Sequence, residues 1–244
     1  MRYAILGDIH ANLSALETVL GAIEKLNVQR ILSVGDVVGY GAAPRRCIRI
    51  LRDLDAVVVK GNHDAACVGD LDMTYFNPYA RSAAEWTREV LENDDIAWLK
   101  SLPMTIDLDH CSVAHGTLSQ PERYDYIQCP QDADPSLDEM QRKVCFVGHT
   151  HVPVTIMRYV DDPYRTAYTT ESEIHIKEVV RALVNVGSVG QPRDENCDAA
   201  YAIYDTDEGI VTIHRIPYDI ETEANRIRSA GLPPMLADRL YLGV

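Results

Sequence analysis

Residues 2–10 read RYAILGDIH: an apolar run that stops at Gly7 and is followed at once by Asp8 and His10. Such a run predicts a short buried strand, and the glycine lets the chain turn sharply out of it. The next segment, 12–26, carries Leu13, Leu16, Leu20 and Ile23 at helical spacing, with Asn12 placed to cap its first turn. RILSV (30–34) and AVVVK (56–60) repeat the strand pattern, each followed by glycine, and flank a second helical segment at 43–53 that has Pro44 in its first turn. This β-α-β-α-β rhythm predicts a parallel sheet with right-handed crossovers.

The pattern changes further along. Helices are expected over 79–92 and 94–100, then strands at 104–108, 111–115 and 144–147. Residues 116–140 are polar, contain three prolines and show no period, which predicts a long loop. Strands near 153–160, 165–171, 181–186, 199–205 and 209–216 have hairpin-like spacing and point to an antiparallel part of the sheet system. The tail, 219–230 and 234–242, reads as helical. No linker or fixed-period repeat divides the chain, so one domain over 1–244 is expected.

Composition narrows the function classes. The 244 residues are 46% hydrophobic and 25% charged, with no low-complexity run, as in an ordinary globular protein. A net charge of −14 argues against nonspecific nucleic-acid binding, which needs basic surface. It leaves room for a phosphorylated substrate, because a bound metal reverses the local sign. No apolar stretch approaches the roughly 20 residues that cross a bilayer, and the N-terminus lacks a secretory pattern. Six scattered cysteines with no C-x-x-C pair read as reduced thiols, so a cytoplasmic location is expected.

The chemistry collects after the predicted strands. GDIH (7–10), GDVVGYG (35–41), GNHD (61–64), AHGT (114–117) and GHTH (148–151) all lie where open α/β sheets build their sites. An aspartate or histidine alone at such a place is most often a turn former or a surface residue. Together, Asp8, His10, Asp36, Asn62, His63, His115, His149 and His151 are different, since five of the eight histidines in the chain fall in this set. In GHTH, residues i and i+2 of an extended chain face one side, so His149 and His151 could converge on a metal, a substrate or backbone. The donor set is all nitrogen and oxygen, which suits divalent Mn, Fe, Zn, Ni or Co rather than a thiolate-rich structural zinc site. Eight residues are too many for one ion and about right for two ions with a shared carboxylate and one residue left for proton transfer.

The succession GDIH, GDVVGYG, GNHD, HGT and GHTHVP resembles the calcineurin-like metallophosphoesterase superfamily, in particular its compact bacterial and archaeal phosphodiesterases and phosphatases. NVGSVGQPRD (185–194) extends the resemblance, which runs over nearly the whole chain. It implies an α/β fold, a four-layer αββα sandwich of two mixed β-sheets flanked by helices. It also implies that Asp8, His10 and His151 hold one ion, that Asn62, His115 and His149 hold a second, and that Asp36 bridges them. His149 and His151 would then serve different ions. Two divalent ions, Mn²⁺ being the first choice, would outweigh the two aspartates and attract phosphate. A hydroxide between them would attack phosphorus while His63, oriented by Asp64, protonates the leaving group. Arg193 is the candidate phosphoryl clamp, Asn185 and Ser188 are weaker ones, and Tyr40, Asn77 and Tyr124 are candidates for a groove wall. The expected partner is a small phosphorylated substrate or nucleotide. The competing reading, a non-catalytic scaffold of the same fold, conflicts with the histidine in GNHD.

Overall fold

The computed structural model describes all 244 residues. In chain order the strands are β1 (Arg2–Leu6), β2 (Arg30–Ser33), β3 (Val57–Val58), β4 (Thr105–Asp107), β5 (Ser112–Ala114) and β6 (Val144–Val147). They continue with β7 (Val154–Tyr159), β8 (Ala167–Thr169), β9 (Glu173–His175), β10 (Val179–Asn185), β11 (Ala199–Asp205) and β12 (Ile210–Ile216). The helices are α1 (Leu13–Ile23), α2 (Pro44–Asp53), α3 (Asn62–Cys67), α4 (Pro78–Val90), α5 (Asn93–Ser101), α6 (Asp134–Glu139), α7 (Ile220–Ser229) and α8 (Pro234–Asp238).

The strands form two mixed six-stranded sheets, ordered β3-β2-β1-β11-β12-β9 and β4-β5-β6-β10-β7-β8. In the first, β1 pairs parallel to β2, and β2 to β3, while β11 meets the other edge of β1 antiparallel. In the second, β5, β6 and β10 run parallel, with β4 and β7 antiparallel outside them. The chain crosses from the second sheet to the first at β9, returns for β10, and crosses again for β11 and β12.

Strand β1 shows how the layers are built. Alternate side chains point to opposite faces of a strand. Tyr3 and Ile5 join the core between the sheets with Leu32, Val113, Phe146 and Val184, while Ala4 and Leu6 pack outward beneath α1 and α2. Both faces are covered, which is why the run is apolar throughout rather than alternating. Helix α1 starts where expected, with Asn12 Oδ1 accepting from the Ala15 amide at 3.0 Å. Its buried face uses Leu13, Leu16, Val19 and Ile23, whereas Leu20 is only half-buried. On the far side, α6 covers the second sheet through Leu137 and Met140. Helices α4, α7 and α8 form a separate cluster that closes over Tyr40.

Two expectations change, and one helix is added. The strand expected at 56–60 shortens to two residues, because the Lys60 amide leaves the sheet to bond Pro103 O at 2.8 Å. Residues 62–67 form a short helix that has no apolar period of its own. The loop expected over 116–140 contains short 3₁₀ turns and α6. Side chains hold it together: Ser136 Oγ accepts from the Leu118 and Ser119 amides at 3.0 and 3.2 Å, and Arg158 pairs with Asp134 at 2.8 Å.

Candidate metal centre

The polar clusters follow the carboxyl ends of parallel strands from both sheets. Asp8 and His10 follow β1, Asp36 follows β2, and Asn62, His63 and Asp64 form the first turn of α3 after β3. His115 follows β5, while His149 and His151 follow β6. All are buried. GHTH is a turn at the strand end rather than an extended segment: His149 and His151 have φ of 69° and 63°. Asp8, His10 and Asp36 are likewise left-handed, at 46°, 49° and 52°. Non-glycine residues rarely adopt this region, and strained backbone of this kind gathers at functional sites. The twisted turn sends the two GHTH rings to different places, as close backbone packing at Gly148 allows. A Cβ there would collide with the Asp8 carboxylate and lie 2.7 Å from Val34 Cγ2.

Two groups of donor atoms result. Asp8, His10, Asp36 and His151 form one, and Asp36, His115 and His149 form the other, with the donor atoms of each group within 4.8 Å of one another. Asn62 Oδ1 adds to the second group, 3.0 Å from His115 Nε2. Asp36 belongs to both. Its Oδ1 accepts the His63 amide at 2.8 Å, while its Oδ2 has no hydrogen-bond partner and lies 3.5 Å from His10 Nε2 and 3.4 Å from His115 Nε2.

The histidine hydrogen bonds test whether a cation fits. The Nδ1 atoms of His10, His115 and His151 face the carbonyls of Val38, Val34 and Gln191 at 3.1, 2.8 and 2.6 Å. A carbonyl only accepts, so each Nδ1 carries the hydrogen and each Nε2 of a neutral ring presents a lone pair. His10 Nε2 and His151 Nε2 nevertheless face each other at 3.1 Å. Acceptor against acceptor in a buried site is repulsive, and a cation between them reverses the sign. His115 Nε2 also faces His149 Nδ1, at 3.0 Å, a contact that a hydrogen on His149 Nδ1 satisfies and a cation would replace. Protonation gives only partial relief. Burial holds His10 and His151 well below the ordinary imidazole range and pushes His149 down to about 3. Burial also opposes charge on His115, but the Asp36 and Asp8 carboxylates and the Val34 carbonyl together raise the ring to about 9. The donor set therefore fits a pair of divalent ions, and the buried His/Asp clusters are of the kind that holds a dinuclear metal site.

Neighbouring residues place these donors. Asn185 Nδ2 donates to Gly148 O at 2.6 Å and Thr150 Oγ1 at 2.9 Å, and Ser188 Oγ donates to Asp8 O at 2.7 Å. These two residues shape turns. The expected pairing of Asp64 with the His63 ring is not made. Both Asp64 oxygens accept backbone amides instead, from Val38 at 3.1 Å and Gly61 at 3.0 Å, so the residue pins two loops together. His63 Nδ1 has no partner, and its ring packs among His10, Tyr40 and Phe76. Burial pushes His63 down to about 4 in spite of Asp36.

Above the cluster lies a cleft of about 280 Å³, walled by Tyr40, Asn77, Tyr124 and Tyr126 and reaching Asn62, His63 and His149. Tyr126 stacks on the His149 ring, with centroids 3.8 Å apart. The Arg193 guanidinium carbon lies 5.6 Å from the Tyr40 ring centroid, and Arg239, from the C-terminal tail, lies 5.8 Å from it. Burial, and then the like charge of Arg193, pull Arg239 below the ordinary arginine range. Tyr126 and Arg239 had no sequence signal, one lying in an aperiodic loop and the other in an unremarkable amphipathic tail.

Comparison with known proteins agrees with this architecture. Residues 1–209 match the calcineurin-like phosphoesterase superfamily domain. An uncharacterized protein of Methanocaldococcus jannaschii is 36% identical over 244 residues, spanning 98% of this chain and 97% of that one. A metallophosphoesterase from Sphaerobacter thermophilus superposes with a TM-score of 0.87 at 38% identity, covering all of both chains. A hypothetical protein from Pyrococcus horikoshii shares the fold, with a TM-score of 0.81 at 20% identity over 100% of this chain and 98% of the other. Family match, sheet topology and buried donor clusters agree, and the chain belongs to the calcineurin-like phosphoesterase superfamily.

Proposed function

We propose that the protein is a dinuclear metal-dependent phosphoester hydrolase, acting on phosphodiesters or phosphomonoesters. The observation that carries this reading is the convergence of His10 Nε2 and His115 Nε2 on the partnerless Asp36 Oδ2, with His151 Nε2 set against His10 Nε2 beside them. Asp8, His10 and His151 are assigned to one ion, and Asn62, His115 and His149 to the other. Asp36 is shared, and Mn²⁺ is the proposed metal. Such ions, when bound, supply Lewis acidity at a phosphoryl oxygen and bring the deprotonation of water into the neutral range.

The chain's own residues supply orientation and charge. Carbonyls of Val34, Val38 and Gln191 fix the tautomers of three histidines, so their Nε2 atoms stay turned inward. Arg193, whose buried Nε lacks a partner, is the proposed clamp for a phosphoryl oxygen. His63 lines the cleft beside the cluster and is the proposed proton donor to the departing alkoxide, a role that requires the incoming phosphate to raise its imidazole. Asp64 serves this step by holding the turn that carries His63, not by touching its ring.

The test is hydrolysis of bis-p-nitrophenyl phosphate and p-nitrophenyl phosphate by protein loaded with Mn²⁺, with metal content measured on the same sample. His149→Ala should abolish it. Metal-loaded protein inert toward a broad panel of monoesters, diesters and dinucleotide polyphosphates would refute the proposal.

A further inference from the structure

A second cleft, of about 710 Å³, adjoins the metal centre on the far side of Tyr126. Its floor is the outer face of β7, where Val154 and Ile156 face the same way, extended by Val152 just ahead of the strand. Ile127, Pro130 and the Tyr168 ring complete the apolar wall. Gln128, Thr150 and Thr170 are among the polar groups, and no charged side chain lines it. That is unusual in a chain with 25% charged residues and a net charge of −14. The metal-facing cleft, by contrast, carries Asp72 and Arg123.

Continuity with the cluster identifies the occupant. Tyr126 lines both clefts while stacking on His149, and Thr150 stands between the two GHTH histidines. A group attached to a phosphate at the metals needs only to pass Tyr126 to lie on β7. An uncharged apolar wall that includes the rings of Tyr126 and Tyr168 favours a neutral ring system over a sugar phosphate or a peptide carboxylate. We propose that this cleft binds the organic half of the substrate, and that the substrate is a phosphoester of a neutral, aromatic alcohol or phenol. The inference rests on the phosphoester-hydrolase reading. In that reaction the P–O bond to the organic group breaks, water supplies the new oxygen on phosphorus, and the departing oxygen leaves protonated.

The experiment has two arms on Mn²⁺-loaded protein. One compares kcat and KM for methyl, phenyl and 2-naphthyl phosphate. The other measures calorimetric binding of ethylphosphonate and 2-naphthylmethylphosphonate, whose P–C bond in place of the ester P–O bond is not hydrolysed. Each added ring should tighten KM and Kd by about tenfold through burial of apolar area. Tyr168→Ala and Thr170→Glu, both at exposed positions, should collapse the naphthyl-to-alkyl ratio in both arms. A ratio near one in the parent protein, or one that both variants leave intact, overturns the inference. Ring-dependent binding without hydrolysis of any ester would keep the cleft and refute the hydrolase reading instead. A monomer–dimer equilibrium that Tyr168→Ala abolishes, with no dependence on ring size, would give the face to a second copy of the chain and overturn it too.

Discussion

Asp36→Asn separates a shared ligand from an ordinary one. The substitution is nearly isosteric, and Oδ1 can keep its bond to the His63 amide at 2.8 Å. What changes is the atom at the Oδ2 position, 3.5 Å from His10 Nε2 and 3.4 Å from His115 Nε2. An amide nitrogen there offers a donor to both lone pairs and no negative charge to either metal position. Both equivalents of metal should therefore be lost, whereas His149→Ala removes a donor from the second group only. At metal a thousandfold above Kd, each bound ion stabilises the fold by about 4 kcal/mol, so two contribute about 8 kcal/mol. For a domain of this size that is a Tm rise of roughly 16–32 °C, half of it from one ion. The assay is thermal unfolding with and without Mn²⁺, alongside metal content by mass spectrometry. The wild type should hold two equivalents, His149→Ala one with part of the Tm rise, and Asp36→Asn almost none with no rise. Equal losses in the two variants, or two equivalents retained by Asp36→Asn, would refute the idea of a common carboxylate.

Gly148→Ala should displace the Asp8 carboxylate, destabilise the protein by about 1–3 kcal/mol and weaken metal uptake, read by denaturant unfolding and metal titration. An unchanged midpoint would show that the GHTH turn has slack. His63→Ala should lower kcat for alkyl phosphoesters by roughly 10²–10⁴-fold and affect p-nitrophenyl esters far less, since p-nitrophenolate leaves without a proton. Equal losses would remove His63 from proton transfer. Phe146→Ala, at a fully buried site between the sheets, should cost about 3–5 kcal/mol in urea unfolding. A loss below 1 kcal/mol would mean that this core collapses around the gap.

Much of the fold was legible because its strands are buried on both faces. Apart from Arg2 and Asp205 at strand ends, RYAIL, VCFV and AAYAIYD are buried throughout and carry no charged residue, and the glycines and acids that end several of them mark where the chain leaves the sheet. Strand β9 was not legible, since three residues with one buried side chain carry no period. Helix α3 was hidden for a related reason: its sequence, NHDAAC, is fixed by the site and by the Asp64 bonds to Gly61 and Val38 rather than by an apolar stripe. The residues of the candidate site were legible as types at strand ends. Their backbone was not, because nothing in GHTH announces that both histidines are left-handed. Nor could sequence show that Asp64 would spend both oxygens on amides, or that His149 would turn Nδ1 rather than Nε2 toward His115. Those outcomes depend on neighbours that only the folded chain brings near.

The place of β1 in its sheet bears on how the protein is made. Its residues leave the ribosome some 200 residues ahead of β11, which alone completes one of its two edges. The turn carrying Asp8 and His10 is also stitched to residues 188–190, through Ser188 Oγ to Asp8 O and Asn12 Nδ2 to Gly190 O. His151 in turn leans on the Gln191 carbonyl. A nascent chain therefore emerges with its aspartates and histidines uncollected, and contacts of such long sequence separation close late. Metal capture belongs to the end of synthesis: a ribosome stalled before residue 190 would carry most of the proposed ligands and no assembled place for an ion.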